Sequence, residues 1–147
     1  MIRTSPSVAL VLATAIVCSA RQDGSLAELM ARADHASGGQ QADLCLEVSG
    51  RALDLVIDSF KQGKIDQARN SLGEVVTYAD KGHAAAIHSG KKIKHTEIKI
   101  RQMAARLRDL KGDVSVDDQP GVQAAIDKLE VFRTELLKSM FGAKSHD

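Results

Sequence analysis

Asp80, His83, His88 and His95 stand at spacings that invite a metal-binding hypothesis. Imidazole and carboxylate are common ligands of first-row metals. Asp80-Lys81-Gly82-His83 places a carboxylate three residues before an imidazole, so on a helix the two share a face. Di-iron bundles use two Glu-x-x-His pairs plus two further carboxylates from facing helices. This chain has one Asp-x-x-His and no Glu-x-x-His. His88 and His95 share a helical face but lie about 10 Å apart along it, too far to chelate one ion without a third element. Asp80, His83 and His88 therefore form only an alternative metal or small-ligand set. The primary expectation is no metal and no cofactor.

Nucleophile chemistry has less to draw on. Cys45 lies between Leu44 and Leu46 on the most apolar of the expected helices, and a buried thiol packs as a small hydrophobe. The sequence carries no Gly-x-Ser-x-Gly, no Gly-rich phosphate loop, no His-Glu-x-x-His and no Cys-x-x-Cys-His. Asp117-Asp118 reads as helix capping. No enzymatic activity is expected.

Charge is the stronger signal. The whole chain is near neutral, with 20 basic and 19 acidic residues. Yet 91–111 holds eight Lys and Arg against Glu97 and Asp109. Such a face pairs with acidic helices of the same chain, docks an acidic protein partner, or meets an anionic lipid, cell-wall polymer or nucleic acid; for a protein partner, Lys92, Lys99, Arg101 and Arg106 are the candidate contacts. No aromatic residue lies in the segment, so bases have no stacking platform. Phosphate attraction alone would be non-specific and salt-dependent. No nucleic-acid partner is expected.

The elements that must position these residues are helical. With no Trp, one Tyr and three Phe, the core must be Leu, Ile, Val and Ala. Ser25-Leu26-Ala27-Glu28 matches a capping box opening a short helix to about Ala36, ended by Gly38-Gly39. A second helix, Ala42 to Gln62, has a narrow polar stripe of Glu47, Arg51, Asp54, Asp58 and Lys61. So little polar face means packing on more than one side, at the centre of the fold. Gly63 breaks it, and Asp66 is placed to cap the next. A heptad seam then runs Ile65, Leu72, Ala79, Ala86, Ile93, Ile100, Leu107. A second row three residues on includes Val75, Gly82, Met103 and Leu110. The unbroken register predicts one long helix, continuous or kinked, over 65–110; two helices joined by a tight turn remain the alternative. Its small-residue middle would admit a close neighbour. After a loop from Gly112, Asp117 or Asp118 with Pro120 marks a last helix to Phe141. The expected fold class is all-α, a bundle of antiparallel helical hairpins with 4–5 helices.

Phe60-Lys61-Gln62-Gly63-Lys64-Ile65-Asp66-Gln67-Ala68 resembles the inter-helix turn of a tetratricopeptide repeat. That family places Gly in the turn, an apolar residue two on and Ala between the helices; Gly63, Ile65 and Ala68 fill these positions. The likeness covers roughly 20 to 30 residues, and arrays need about three repeats. Val56 departs from the family's small residue, no proline closes the unit near Asp80, and no second copy occurs. The resemblance implies a helical hairpin and, by analogy, protein binding.

At the start of the chain, Arg3, the apolar run Val8–Val17 and Cys18-Ser19-Ala20 follow the pattern of a cleaved secretory signal peptide. Ten helical residues reach about 15 Å, half a bilayer core. Residues 1–20 are expected to be leader, 21–141 a single helical domain and 142–147 a frayed tail. Cleavage after Ala15, lipid on Cys18 and an uncleaved leader are alternatives, and only the last two would bring membrane contact. Removing the leader leaves Cys45 without a disulfide mate. The expectation is a non-catalytic interaction or accessory protein exported to the cell envelope, periplasmic or extracellular, with an unidentified protein partner. A homodimer closing over the seam is a further option. The runner-up function is a small-ligand or metal-binding helical bundle.

Overall fold

The narrow polar stripe of the second helix has a structural counterpart: that helix is sandwiched. A computed structural model describes residues 18–142, with side chains from Ser25 onward. Five helices follow one another: α1 (Cys18–His35), α2 (Gly38–Lys61), α3 (Ile65–Ser89), α4 (Ile93–Asp113) and α5 (Gln119–Phe141). The fold is all-α, and no strand occurs among the described residues. On one side of α2, Cys45 and Val48 pack with Leu29 and Ala33 of α1 and Tyr78 of α3. On the other, Leu46, Leu53 and Val56 join the main core with Val75, Ile100, Leu107 and Leu129.

Cross-contacts fix the helix directions. Ser49 Oγ donates to the Val75 carbonyl at 2.7 Å, and Gly82 sits against Ala42 and Cys45; α2 and α3 are antiparallel. Lys111 meets Gln123 and Glu97 meets Arg133, so α4 and α5 are antiparallel too. Between these hairpins the order reverses. Asp43 pairs with Lys92 and Asp54 with Arg106, so α2 and α4 run parallel. Arg69 meets Asp118 and His83 meets Glu135, so α3 and α5 also run parallel. Two hairpins are thus stacked with like-directed helices facing. The α1 helix lies antiparallel on α2, through Gln41 to the Ala33 carbonyl and Arg51 to Ser25.

Several expected boundaries are corrected. The stretch 65–110 is not one long helix but two helices joined by a tight turn, the alternative reading. Gly90 (φ 69°) and Lys92 (φ 65°) both enter the left-handed region and turn the chain, so α4 packs on α2 and α5 instead of extending α3. A non-glycine residue there costs about 1 kcal/mol. The heptad phase crosses this break because each helix buries the same seam in its own right: Leu72, Ala79 and Ala86 in α3, Ile100 and Leu107 in α4. Ser25 opens no helix, since α1 already runs from Cys18; its hydroxyl accepts from Arg51 Nη1 at 3.1 Å. Gly38-Gly39 begins α2 rather than ending α1. The N-cap of α3 is Lys64 and not Asp66, which lies in the first turn where the helix dipole favours it. Asp118 is the N-cap of α5 as expected, with Pro120 just inside, but its carboxylate makes no cap bond. It accepts instead from Ser115 Oγ and Arg69 Nε, which hold its pKa below the ordinary carboxylate value.

Residues 1–17 of the expected leader, and 143–147 of the expected tail, lie outside the described residues. Among the described residues, no helix is long and apolar enough to cross a membrane.

Candidate functional site: the groove between α2 and α4

The polar stripe of α2 and the basic face of α4 meet along an open groove of about 500 Å³. The stripe follows from spacing: Asp43, Glu47, Gly50, Arg51 and Asp54 recur every three or four residues and share one side of a helix. His95, Lys99, Gln102 and Arg106 do the same on α4. Leu46 and Met103 line the groove between these polar rows, and Ser49 Oγ contacts Met103 Sδ at 3.3 Å. Nothing stands within 4 Å of where a Gly50 Cβ would be, so the missing side chain leaves open space.

Ion pairs bridge both ends. Lys92 Nζ lies 3.0 Å from Asp43 Oδ2, with His95 Nε2 3.8 Å from the other oxygen. Arg106 Nη2 lies 2.7 Å from Asp54 Oδ1. All five side chains are substantially exposed, so each bridge contributes about 0–1 kcal/mol. Between the bridges, Arg51 is held on its own helix by Glu47 at 2.8 Å. Lys99 has neither an ion pair nor a hydrogen bond among the described residues. Among the described residues it is the one unpaired cation lining the groove.

The four basic residues singled out by sequence therefore part company. Lys99 and Arg106, seven apart, line the groove, and Lys92 closes one end. Arg101 does not join them. Two residues from Lys99, it points some 200° round the helix and lies 3.6 Å from Glu97. Glu97 is buried on the α4–α5 side, where Arg133 Nε reaches it at 2.7 Å. The neutralising partners on α2, Asp43 and Asp54, were missed as site residues. Their signal was present as the narrow stripe, but a stripe does not say which helix it will face.

The alternative metal set does not assemble. His83 is buried and stacks on Phe132 of α5, ring centroids 4.9 Å apart. Its Nε2 is 2.7 Å from Glu135 Oε2 and its Nδ1 3.7 Å from Asp80 Oδ1, neither aligned as a hydrogen bond. The two carboxylates thus address different ring nitrogens and cannot share one ion with the imidazole. His88 is exposed and takes no part. No group of three or more His, Cys, Asp or Glu among the described residues is placed to hold a metal. Glu135 and Phe132 were invisible as partners of His83 while α3 and α4 were read as one helix.

Cys45 is fully buried, and desolvation pushes its thiol up to about 11. At neutral pH it is protonated and a poor nucleophile. The groove brings together no nucleophile with a base; it offers fixed charges, one unpaired ammonium and space. No protein family, curated protein or solved structure matches the chain.

Proposed function

We propose that the protein is a non-catalytic helical interaction module of the cell envelope, exported behind the segment 1–20, which receives an acidic segment of a partner protein in the α2–α4 groove. The observation carrying this reading is Lys99, an ammonium left unpaired between two bridged ends of an open groove. An incoming carboxylate would pair there without breaking an existing bridge, and could then compete with Asp54 for Arg106. The stacking of the hairpins adds support. Superhelical repeat proteins stack helix pairs in series and bind along the resulting surfaces. The tetratricopeptide-like turn at Gly63 is in keeping with that analogy.

Crosslinked capture from the envelope of the source cell tests it, with three forms of the protein in parallel. Lys99→Glu places a repelling charge in the groove. Arg101→Glu makes the same charge change on the opposite side of the same helix. A partner held by the native form and by Arg101→Glu, but lost with Lys99→Glu, is the expected result. A partner lost equally with both variants, or with neither, removes the groove from the account. A Glu-rich helical peptide gives the same contrast in titration, with affinity falling about tenfold in Lys99→Glu and most of the binding lost at high salt.

The runner-up, a small-ligand-binding bundle, draws on the two buried ring nitrogens of His83 that lack aligned partners. Native mass spectrometry of the purified protein showing only the bare chain mass would count against it.

A further inference from the structure

One end of the molecule gathers the α1–α2 junction, the α3–α4 turn and the C-terminus of α5. A Cβ on Gly39 would stand 3.2 Å from Lys91 Cβ and 3.3 Å from Lys92 Cγ, so the α3–α4 turn rests on the start of α2. Gln41, bonded to the Ala33 carbonyl, brings the end of α1 to the same level. His83 meets Glu135 across parallel helices, and Glu97 meets Arg133 across antiparallel ones. Counting outward from either pair sets Phe141 level with Ser89.

Charge at this end has one sign. Within one helical turn of it, the described residues include the cations Arg32, Lys91, Lys92, Lys94 and Lys138 and a single carboxylate, Asp34. His35, His88 and His95 stand there too and add no negative charge. Lys81 holds Asp34 at 2.8 Å. The next carboxylates inward on α2, α4 and α5 are engaged as well: Asp43 by Lys92, Glu97 by Arg133, Glu135 by His83. Arg32, Lys91, Lys94 and Lys138 are exposed and have no ion pair or hydrogen bond through their side chains. The opposite end differs: Asp58, Asp66, Asp113 and Asp117 stand among Lys61, Lys64 and Lys111.

Apolar side chains are exposed among these amines. Phe141 is 65% exposed at the end of α5, and Ile87 is exposed two residues before the end of α3. Leu137 and Met140 beside Phe141 are half-buried. We infer that this end is a docking face for the surface of an anionic bilayer. Lipid phosphates meet the unpaired amines, and Phe141 with Ile87 enters the boundary of the acyl chains. A soluble polyanion would use the amines alone and leave the ring in water. A bilayer surface takes both at once. The contact is peripheral and end-on, and needs no retained leader, since α1 begins at the opposite end. Each lysine strengthens it about fivefold, so it is reversible and salt-sensitive. It uses neither Lys99 nor the α2–α4 groove, and Lys92 stays with Asp43.

Phe141→Trp supplies the chain with its sole tryptophan and so reads the contact directly. With vesicles of phosphatidylglycerol and phosphatidylcholine at low salt, its emission should shift to the blue and be quenched by brominated acyl chains. Phosphatidylcholine alone should do neither, and salt near 0.5 M should reverse both. In the same background, Lys91→Glu/Lys94→Glu should weaken vesicle binding tenfold or more. Lys61→Glu/Lys64→Glu makes the same charge change at the opposite end and should stay within about threefold. Circular dichroism melts confirm that each variant is folded, and the quenching arm stands without the charge variants. No spectral change with anionic vesicles overturns the inference. So does equal weakening by the two charge pairs. Soluble polyphosphate binding as tightly as the vesicles, with the tryptophan unquenched on both, would make the face a polyanion site and overturn it too.

Discussion

The flank of α2 that meets α3 and the flank that meets α4 are each built around a glycine, and the two glycines have opposite surroundings. A Cβ on Gly82 of α3 would stand 3.3 Å from the Ala42 carbonyl oxygen, Cys45 Cβ and Leu46 Cγ. A Cβ on Gly50 of α2 would meet nothing within 4 Å. One glycine lets two helices close; the other leaves a groove open. The first flank is apolar, with the polar Ser49 satisfied by a backbone carbonyl. On the second, Leu46, Ser49 and Met103 lie beneath polar rows that are bridged by exposed ion pairs. A helix pair held by close packing is rigid, whereas one held by solvated charges can exchange them. The difference ties stability to the α2–α3 flank and leaves exchangeable charges on the α2–α4 flank, where the proposed recognition would take place.

Chemical reactivity should separate the flanks most widely. Cys45 lies on the closed flank with its thiol pushed up to about 11. Its labelling by a disulfide reagent near pH 8 should be about a thousandfold slower, or more, in the native protein than in urea, because reaction must await substantial unfolding. A cysteine introduced by Gly50→Cys should instead react within about tenfold of the unfolded rate. Similar native rates at the two positions would erase the distinction.

Gly82→Val follows in size. The new Cβ already stands 3.3 Å from its neighbours and its two methyl groups have no further room, so the helices must separate or strain, at about 1–3 kcal/mol. Chemical denaturation measures this as a lower midpoint with an unchanged slope. A neutral result would mean that the α2–α3 flank has slack.

These contrasts also show what the sequence made legible. The narrow polar stripe announced that α2 is buried on more than one side, and Leu46, Val48, Leu53 and Val56 are indeed buried. The small residues at Ala79, Gly82 and Ala86 announced a close neighbour, and α2 is that neighbour. What misled was periodicity across Gly90. Heptad spacing reports which face of a helix is buried and says nothing about chain direction. Two helices burying the same seam mimic one. The reversal depends on Gly90 and Lys92 in left-handed conformations, and lysine carries no such signal. With one helix preferred over the turn, the partners it creates could not be read either: Asp43 for Lys92, Asp54 for Arg106, Glu135 for His83. Charge segregation singled out α4, but helical geometry sorts Lys99 into the groove and Arg101 out of it.

Gly50→Ala tests the open flank with a change of opposite sign. Gly50 is interior to α2, where glycine costs about 0.5–1 kcal/mol relative to alanine, and no atom obstructs the added methyl. The variant should be more stable by that amount. Binding of the Glu-rich peptide should fall if Gly50 is kept for the space it leaves. Stability gained without any loss of binding would show that the groove does not use that space.

The smallest change expected in stability is Asp54→Asn, and it bears most directly on what the bridges do. Asp54 and Arg106 are 63% and 44% exposed at the side chain. Their contact should contribute less than about 1 kcal/mol, and that contribution should fade as salt is raised. If the bridge serves only to occupy Arg106 until a carboxylate arrives, removing Asp54 should strengthen binding of the acidic peptide severalfold while slightly weakening the fold. Opposite signs in the two measurements separate recognition from stability on this flank. A loss of 2 kcal/mol or more, with binding unchanged, would instead make the bridge part of the structural core. Both flanks of α2 would then be doing the same work.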